Sequence, residues 1–210
     1  MFEDRFEAGE KLVPLLKKYK NNRNKPIVLA IPRGGVLTAF PIAKQLNAKL
    51  SLVLVRKLGV PNNEEQGFGA VDSDGQVTLN NDIVYYFGVS DEHIKQISER
   101  EKKVIEARVK IYNVKMQDLT NKTAIIVDDG LATGYTLLSA INFVKRKEAK
   151  KIIVAVPTAH ASAYEMIKRV VDEIYCLDIA RTDSYAVGMY YKNFHEVDHE
   201  EIKTLLAKLK

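Results

Sequence analysis

The stretch that most constrains this chain runs from Thr123 to Ile141 and reads TAIIVDDGLATGYTLLSAI. Ala124–Val127 is a short apolar, branched run of the kind that forms a buried strand. It stops at two carboxylates, Asp128 and Asp129. A loop of small residues follows (Gly130, Ala132, Thr133, Gly134), then an apolar pattern that suits a helix. A strand that feeds a glycine-containing turn into a helix start presents unpaired backbone N–H groups, and these attract a phosphate. The adjacent carboxylates narrow the ligand further, because a bare phosphate site gains nothing from neighbouring negative charge. The pair makes sense when the ligand carries a diol or a magnesium ion beside its phosphate, as a ribose 5-phosphate does. The stretch is not a nucleotide-binding P-loop, which ends in Gly-Lys-Ser/Thr, and it lacks the G-x-G-x-x-G spacing of a dinucleotide fingerprint. The plain alternative is an ordinary strand-to-helix turn with two solvated capping acids.

A second junction of the same kind lies earlier. Pro26 to Ile31 reads as a buried strand and runs into Pro32-Arg33-Gly34-Gly35, followed by a helical pattern from Val36 to Leu46. Gly34 and Gly35 allow close backbone approach, and Arg33 adds a fixed positive charge with several donors. Leu50–Val55 is a third apolar run and ends in Arg56-Lys57. Leu58 to Val71 is rich in glycine and polar residues and reads as a mobile loop. Its end, Ala70–Val71, pairs with Gln76–Leu79 as a short hairpin. A long loop beside two cations has the composition of a lid over a charged substrate. Ser90 is placed to cap a long charged helix, with Ile94, Ile97, Val104 and Ile105 inward. Lys151–Val156 is another strand, Ala159–Val170 a helix, and Glu173–Leu177 a last core strand. This alternation predicts an α/β fold, a Rossmann-like parallel sheet covered by helices on both faces. Ligands bind such sheets at the carboxyl ends of the strands, where every candidate residue above falls.

The flanks are different. Asp4 and Glu7 form a helix-start signal, with Pro14 expected to kink the helix or split it in two. Asn21–Lys25 reads as a polar loop. Tyr185, Tyr190, Tyr191 and Phe194 concentrate aromatics that either stack on a base or underlie the last helix, which starts at Asp198 and turns Ile202, Leu205, Leu206 and Leu209 to one face. At 210 residues the chain is read as one domain, 1–210. Its 46% hydrophobic and 28% charged content is that of a soluble globular protein. No apolar run approaches the ~20 residues of a membrane span, and the acidic first residues do not resemble a targeting peptide. A single cysteine, Cys176, fits a reducing cytoplasm and reads as a small core residue. The histidines show no zinc-ligand spacing. Net charge is +5 and the pI about 9.1. The densest basic cluster, Lys145 to Lys147 with Lys150 and Lys151, falls where a helix should end and complements its dipole.

The Asp128–Thr136 motif resembles the signature of type I phosphoribosyltransferases, and the segment from Arg56-Lys57-Leu58-Gly59 to Gly67-Phe68-Gly69-Ala70-Val71 is similar to an uncharacterised bacterial group of them. The resemblance implies a core of about residues 26–180 with a small hood from about 1–25 and 181–210. It implies 5-phosphoribosyl-1-pyrophosphate (PRPP) as donor, with Mg2+ carried by the donor and reaching Asp128 and Asp129 at most through water. Asp128 and Asp129 would hold the ribose hydroxyls, and Gly130, Leu131, Ala132, Thr133, Gly134 and Thr136 the 5-phosphate. Arg33, Gly34 and Gly35 would hold the pyrophosphate, joined by Arg56 or Lys57. The acceptor would be a small nitrogenous, nucleobase-like molecule. Members for 6-oxopurines carry an acid where this chain has Ala132, which argues against hypoxanthine or guanine. The family also implies a homodimer, while the lone cysteine points to the cytoplasm, the lack of a long apolar run to no membrane partner, and the dipole role of the basic cluster away from nucleic acid. The other reading is a non-catalytic PRPP-binding regulator of nucleotide metabolism, acting on nucleic acid.

Overall fold

The computed structural model describes residues 1–20, 26–61, 63–115, 117–182 and 184–209. The polar loop expected at 21–25 lies outside them. The chain opens with α1 (Arg5–Leu16), whose first turn is closed by Asp4 accepting from the Glu7 N–H at 2.9 Å. Pro14 sits inside this helix without splitting it. The change comes after Leu16, where one 3-10 turn (Lys17–Tyr19) follows. Pro14 has no N–H to donate back to the Glu10 carbonyl, and the α-helix continues for only two residues beyond it.

Five strands build the main sheet: β1 (Ile27–Ala30), β2 (Lys49–Leu52), β6 (Thr123–Val127), β7 (Lys151–His160) and β8 (Glu173–Ala180). Their order is β2-β1-β6-β7-β8, and every neighbouring pair is parallel. The helices α2 (Gly34–Leu46), α5 (Tyr135–Arg146) and α6 (Ala161–Lys168) are the crossovers that a parallel sheet requires. Side chains alternate by face. Val28, Ala30, Ile125, Val127, Ile153 and Ala155 join α1 and α2 in one buried cluster. Ile27, Leu29, Ala124, Ile126, Ile152 and Val154 join α5 and α6 in the other. Burial on both faces is why these strands read as unbroken apolar runs. Cys176 is half-buried on β8, and burial pushes its thiol up to about 11, which suits a packing residue.

The third apolar run divides. Its first half is β2, and from Val55 the chain leaves the main sheet as β3 (Val55–Val60), pairing antiparallel with β4 (Asn63–Asp72), which pairs in turn with β5 (Val77–Leu79). The stretch expected to be a mobile loop is therefore a ribbon. Leu58, Val60, Phe68, Ala70 and Val71 are buried along it, enough apolar area to hold it against the core despite its glycines. The hairpin turn at 72–75 forms as expected. Asp72, fully buried, accepts from the Asp74 and Gln76 N–H groups and from Arg146. A short helix that the pattern did not reveal, α3 (Asn81–Tyr86), follows, then α4 (Asp91–Ile111) capped by Ser90. Along α4 only Glu101 and Ile105 are buried, and Ile94, Ile97 and Val104 are partly covered. The chain ends with α7 (His199–Ala207), capped by Asp198 and burying Ile202 and Leu205.

Candidate functional site

The two glycine junctions meet because β1 and β6 are neighbours. The Ile31 N–H donates to the Val127 carbonyl at 2.9 Å, so the chains leaving both strands start side by side. Gly34 lies so close that a Cβ there would overlap the Asp129 carboxylate, and a Cβ at Gly35 would stand 3.0 Å from the Asp128 Cα. The close approach expected of these glycines is made to the acid pair itself.

Asp128 accepts the Asp129 N–H at 2.9 Å. Burial, and next the Asp129 charge beside it, raise Asp128 well above the usual carboxylate range. Asp129 is answered by Arg5, whose Nε lies 2.7 Å from its Oδ2. Arg5 is itself buried, donates to the His195 carbonyl at 2.9 Å and lies over the Phe194 ring at 3.7 Å. Tyr191 donates its hydroxyl to the Asp129 carbonyl, and burial first, then Asp129, raises its phenol.

Beyond the acids the chain is stitched to β7. The Leu131 N–H donates to the Thr158 carbonyl at 2.9 Å, and the His160 N–H to the Leu131 carbonyl at 2.8 Å. Leu131 buries its side chain and spends its N–H and carbonyl on β7, so of the residues expected to hold a phosphate it offers neither group to the loop surface. Ala132 and Thr133 are exposed, and Thr136 is half-covered in the first turn of α5. Gly134 is the N-cap of α5 at φ +88, a left-handed conformation that glycine adopts without strain, and it supplies no side-chain cap. The first N–H groups of that helix thus face outward with the dipole behind them. A cleft of about 610 Å³ opens here, lined by Ala132, Thr133 and Tyr135 with His160 and Tyr185 opposite.

Of the expected pyrophosphate residues, Arg33 reaches Glu196 of the carboxyl-terminal segment. Arg56 pairs with the buried Glu101 of α4 at 2.8 Å. Lys57 alternates to the other side of β3, its stem packed beside Gly67. Of the segment expected to form the hood, α1 instead packs Leu12 and Leu16 into the core, and residues 2–5 reach the site. There Phe2 pairs with 190–192 through backbone hydrogen bonds, and Val187 packs over Gly130. The aromatics divide: Tyr191 is buried beneath this cover, while Tyr185 faces the cleft. Arg5 and Glu196 were not legible beforehand, and Tyr191 was legible only as one of a group of aromatics. Arg5 and Asp129 are 124 residues apart, and an arginine in a charged first turn carries no local sign of burial.

A parallel α/β sheet with two glycine loops and an acid pair at adjoining strand ends defines a class of α/β fold whose site lies at the carboxyl ends of the strands. The family model "Phosphoribosyl transferase domain" matches residues 11–192. The chain belongs to that family, with the type I fold. "Putative phosphoribosyl transferase Rv0571c" of Mycobacterium tuberculosis is 34% identical over 211 residues, covering 99% of this chain and 47% of that protein. The chain therefore spans about half the length of the curated relatives it matches. The crystal structure of TT1426 from Thermus thermophilus is 33% identical and superposes with a TM-score of 0.80 over 99% of this chain and 98% of that one. A hypoxanthine phosphoribosyltransferase of Staphylococcus aureus, 13% identical, shares the fold at a TM-score of 0.50 over 84% of this chain and 73% of its own.

Proposed function

We propose that this protein transfers the phosphoribosyl group of PRPP to a small nitrogenous acceptor, releasing pyrophosphate. The observation that carries the reading is the packing of Gly34 and Gly35 against Asp128 and Asp129, next to an uncapped helix start at Gly134. Three fragments of one donor would then lie in register. The 5-phosphate takes N–H groups of 130–136 other than that of Leu131, with the Thr133 and Thr136 hydroxyls, the ribose diol takes the two carboxylates, and the diphosphate takes the Arg33 loop and Arg56.

Displacing pyrophosphate leaves positive charge on the sugar and negative charge on the leaving group. A site accelerates this only through contacts stronger in the transition state than in the bound donor. Asp128 and Asp129 lie on the side that becomes positive, and Arg33 and Arg56 on the side that becomes negative. Among the described residues no cluster of three or more His, Cys, Asp or Glu could hold a metal alone. In this reading Mg2+ is carried mainly by donor oxygens, with Asp128 and Asp129 reached at most through water, where it would neutralise charge on the diphosphate. The acceptor side is open to the cleft of Tyr185 and His160, with no acid at Ala132 to favour a 6-oxopurine.

The basic cluster gives the regulator's nucleic-acid role little support. Arg146 and Lys147 pair with Asp72 and Asp74, and Lys151 pairs with Glu173, so the basic cluster is largely neutralised within the fold. No helix among the described residues is long and apolar enough to cross a membrane. A homodimer and a cytoplasmic setting remain part of the proposal by family likeness. The test is pyrophosphate release from PRPP and Mg2+ across purines, pyrimidines and other amines. Acceptor-dependent release is expected. PRPP binding without release for any acceptor would favour the regulator.

A further inference from the structure

The face of α4 that resists a solvated reading carries Glu101, Ile105, Arg108 and Tyr112, spaced i, i+4, i+7 and i+11 along one side of the helix. Glu101, Ile105 and Tyr112 are buried and Arg108 is half-buried, so this side looks inward. Arg56 is tied to the same face by Glu101. Burial holds the Arg108 guanidinium below its ordinary value, Arg56 lowers it next, and Arg33 adds to the effect. Arg108 and Arg33 also act together on Tyr112. Arg56 and Arg108 therefore meet on this face of α4, with Arg33 of the β1–α2 loop within electrostatic reach of Arg108 and Tyr112.

Three guanidinium charges meet two carboxylates here. Glu101 serves Arg56 and also Arg100, and Glu196 serves Arg33. Arg108 makes no ion pair with any carboxylate among the described residues. Covering a guanidinium beside two others costs desolvation and repulsion. A polyanion removes both costs, since guanidinium forks bind phosphate oxygens in charge-assisted pairs. The region is reachable, because the Arg33 and Arg56 side chains remain 32% and 35% exposed.

We propose that Arg108 is a third diphosphate-binding residue, its guanidinium closing with Arg33 and Arg56 around the pyrophosphate end of the donor. This rests on the phosphoribosyl-transfer reading above. Unlike a loop residue, Arg108 is delivered by a helix of 21 residues, so it is in place before the ligand arrives.

The test is calorimetric titration of wild type and Arg108→Met with two separate probes, magnesium pyrophosphate and ribose 5-phosphate. Met keeps the aliphatic stem and removes the charge. The expected result is pyrophosphate binding weakened about tenfold or more, the loss of one charge-assisted contact, with ribose 5-phosphate affinity held within about twofold. Pyrophosphate affinity unchanged in a folded Arg108→Met overturns the proposal, as does an equal loss for both probes, which would mark a structural role. Where Arg108→Met does not fold, Arg108→Lys and Arg108→Gln carry the comparison. Pyrophosphate binding kept by Lys and lost by Gln supports the assignment, and equal binding by both overturns it. Wild-type protein that binds neither probe would overturn the phosphoribosyl reading itself, an outcome distinct from failure of Arg108 alone.

Discussion

Asp128 and Asp129 sit next to each other in sequence and differ in what answers their charge. Asp129 has the Arg5 guanidinium at 2.7 Å, whereas Asp128 meets burial and its neighbour's charge and is raised. A carboxyl with a folded-state value above its unfolded one binds its proton more tightly in the folded protein. Its effect on stability therefore worsens as pH rises from the ordinary aspartate range near pH 4 to the raised value, and the loss is complete above that. Asp128→Asn removes the titration and keeps an oxygen for the Asp129 N–H. The variant is expected to be more stable than wild type in urea at neutral pH, with the gap closing as pH falls towards the aspartate range, while PRPP binding is lost. A variant less stable than wild type at pH 7 would mean that the Asp128 charge is compensated by the fold. The pair itself was legible from the sequence, because a strand ending in two acids before a small-residue loop is a local pattern. The asymmetry between them was not, since it depends on Arg5, far away in the chain.

At the scale of elements, the central strands β1, β6 and β7 were legible because burial on both faces leaves each as an apolar run. The ribbon of β3 and β4 was not. Gly59, Gly67 and Gly69 break the alternation that marks a half-buried strand, and local composition then favours a loop. Pairing partners decide otherwise: Lys57 faces Ala70, Arg56 faces Val71, and Phe68 is fully buried beneath them. Amides of 69–71 are therefore expected to show slow hydrogen exchange, comparable to those of β1, where a mobile loop would exchange without protection. Phe68→Ala is expected to lower unfolding free energy by about 3–5 kcal/mol, the usual cost of emptying a core aromatic site. Rapid exchange, or a change below about 1 kcal/mol, would return the segment to the loop reading. The consequence for function is that Arg56 rides on an ordered strand anchored to Glu101.

Across the whole molecule, the carboxyl-terminal segment is fastened to both ligand loops. Arg5 links Asp129 to the His195 carbonyl, and Glu196 reaches Arg33. These contacts span 190 and 163 residues for Arg5–His195 and Arg33–Glu196, so no window of sequence contains both partners. The two fastenings differ in weight. Arg5 and Asp129 are 6% and 17% exposed, so their pair belongs to the structure of the site. Glu196 is 80% exposed, and an ion pair so open to water contributes about 0–1 kcal/mol. It nevertheless occupies the guanidinium that the proposed reading assigns to the diphosphate, so in that reading donor binding displaces it. Glu196→Gln is accordingly expected to leave the urea midpoint almost unchanged while tightening pyrophosphate binding severalfold, most visibly at low salt, where surface charges are least screened. Weaker binding in the variant would instead place Glu196 on the ligand's side of the site, holding Arg33 in its working position. The direction of that single change therefore separates a carboxylate that competes with the donor from one that prepares the site for it.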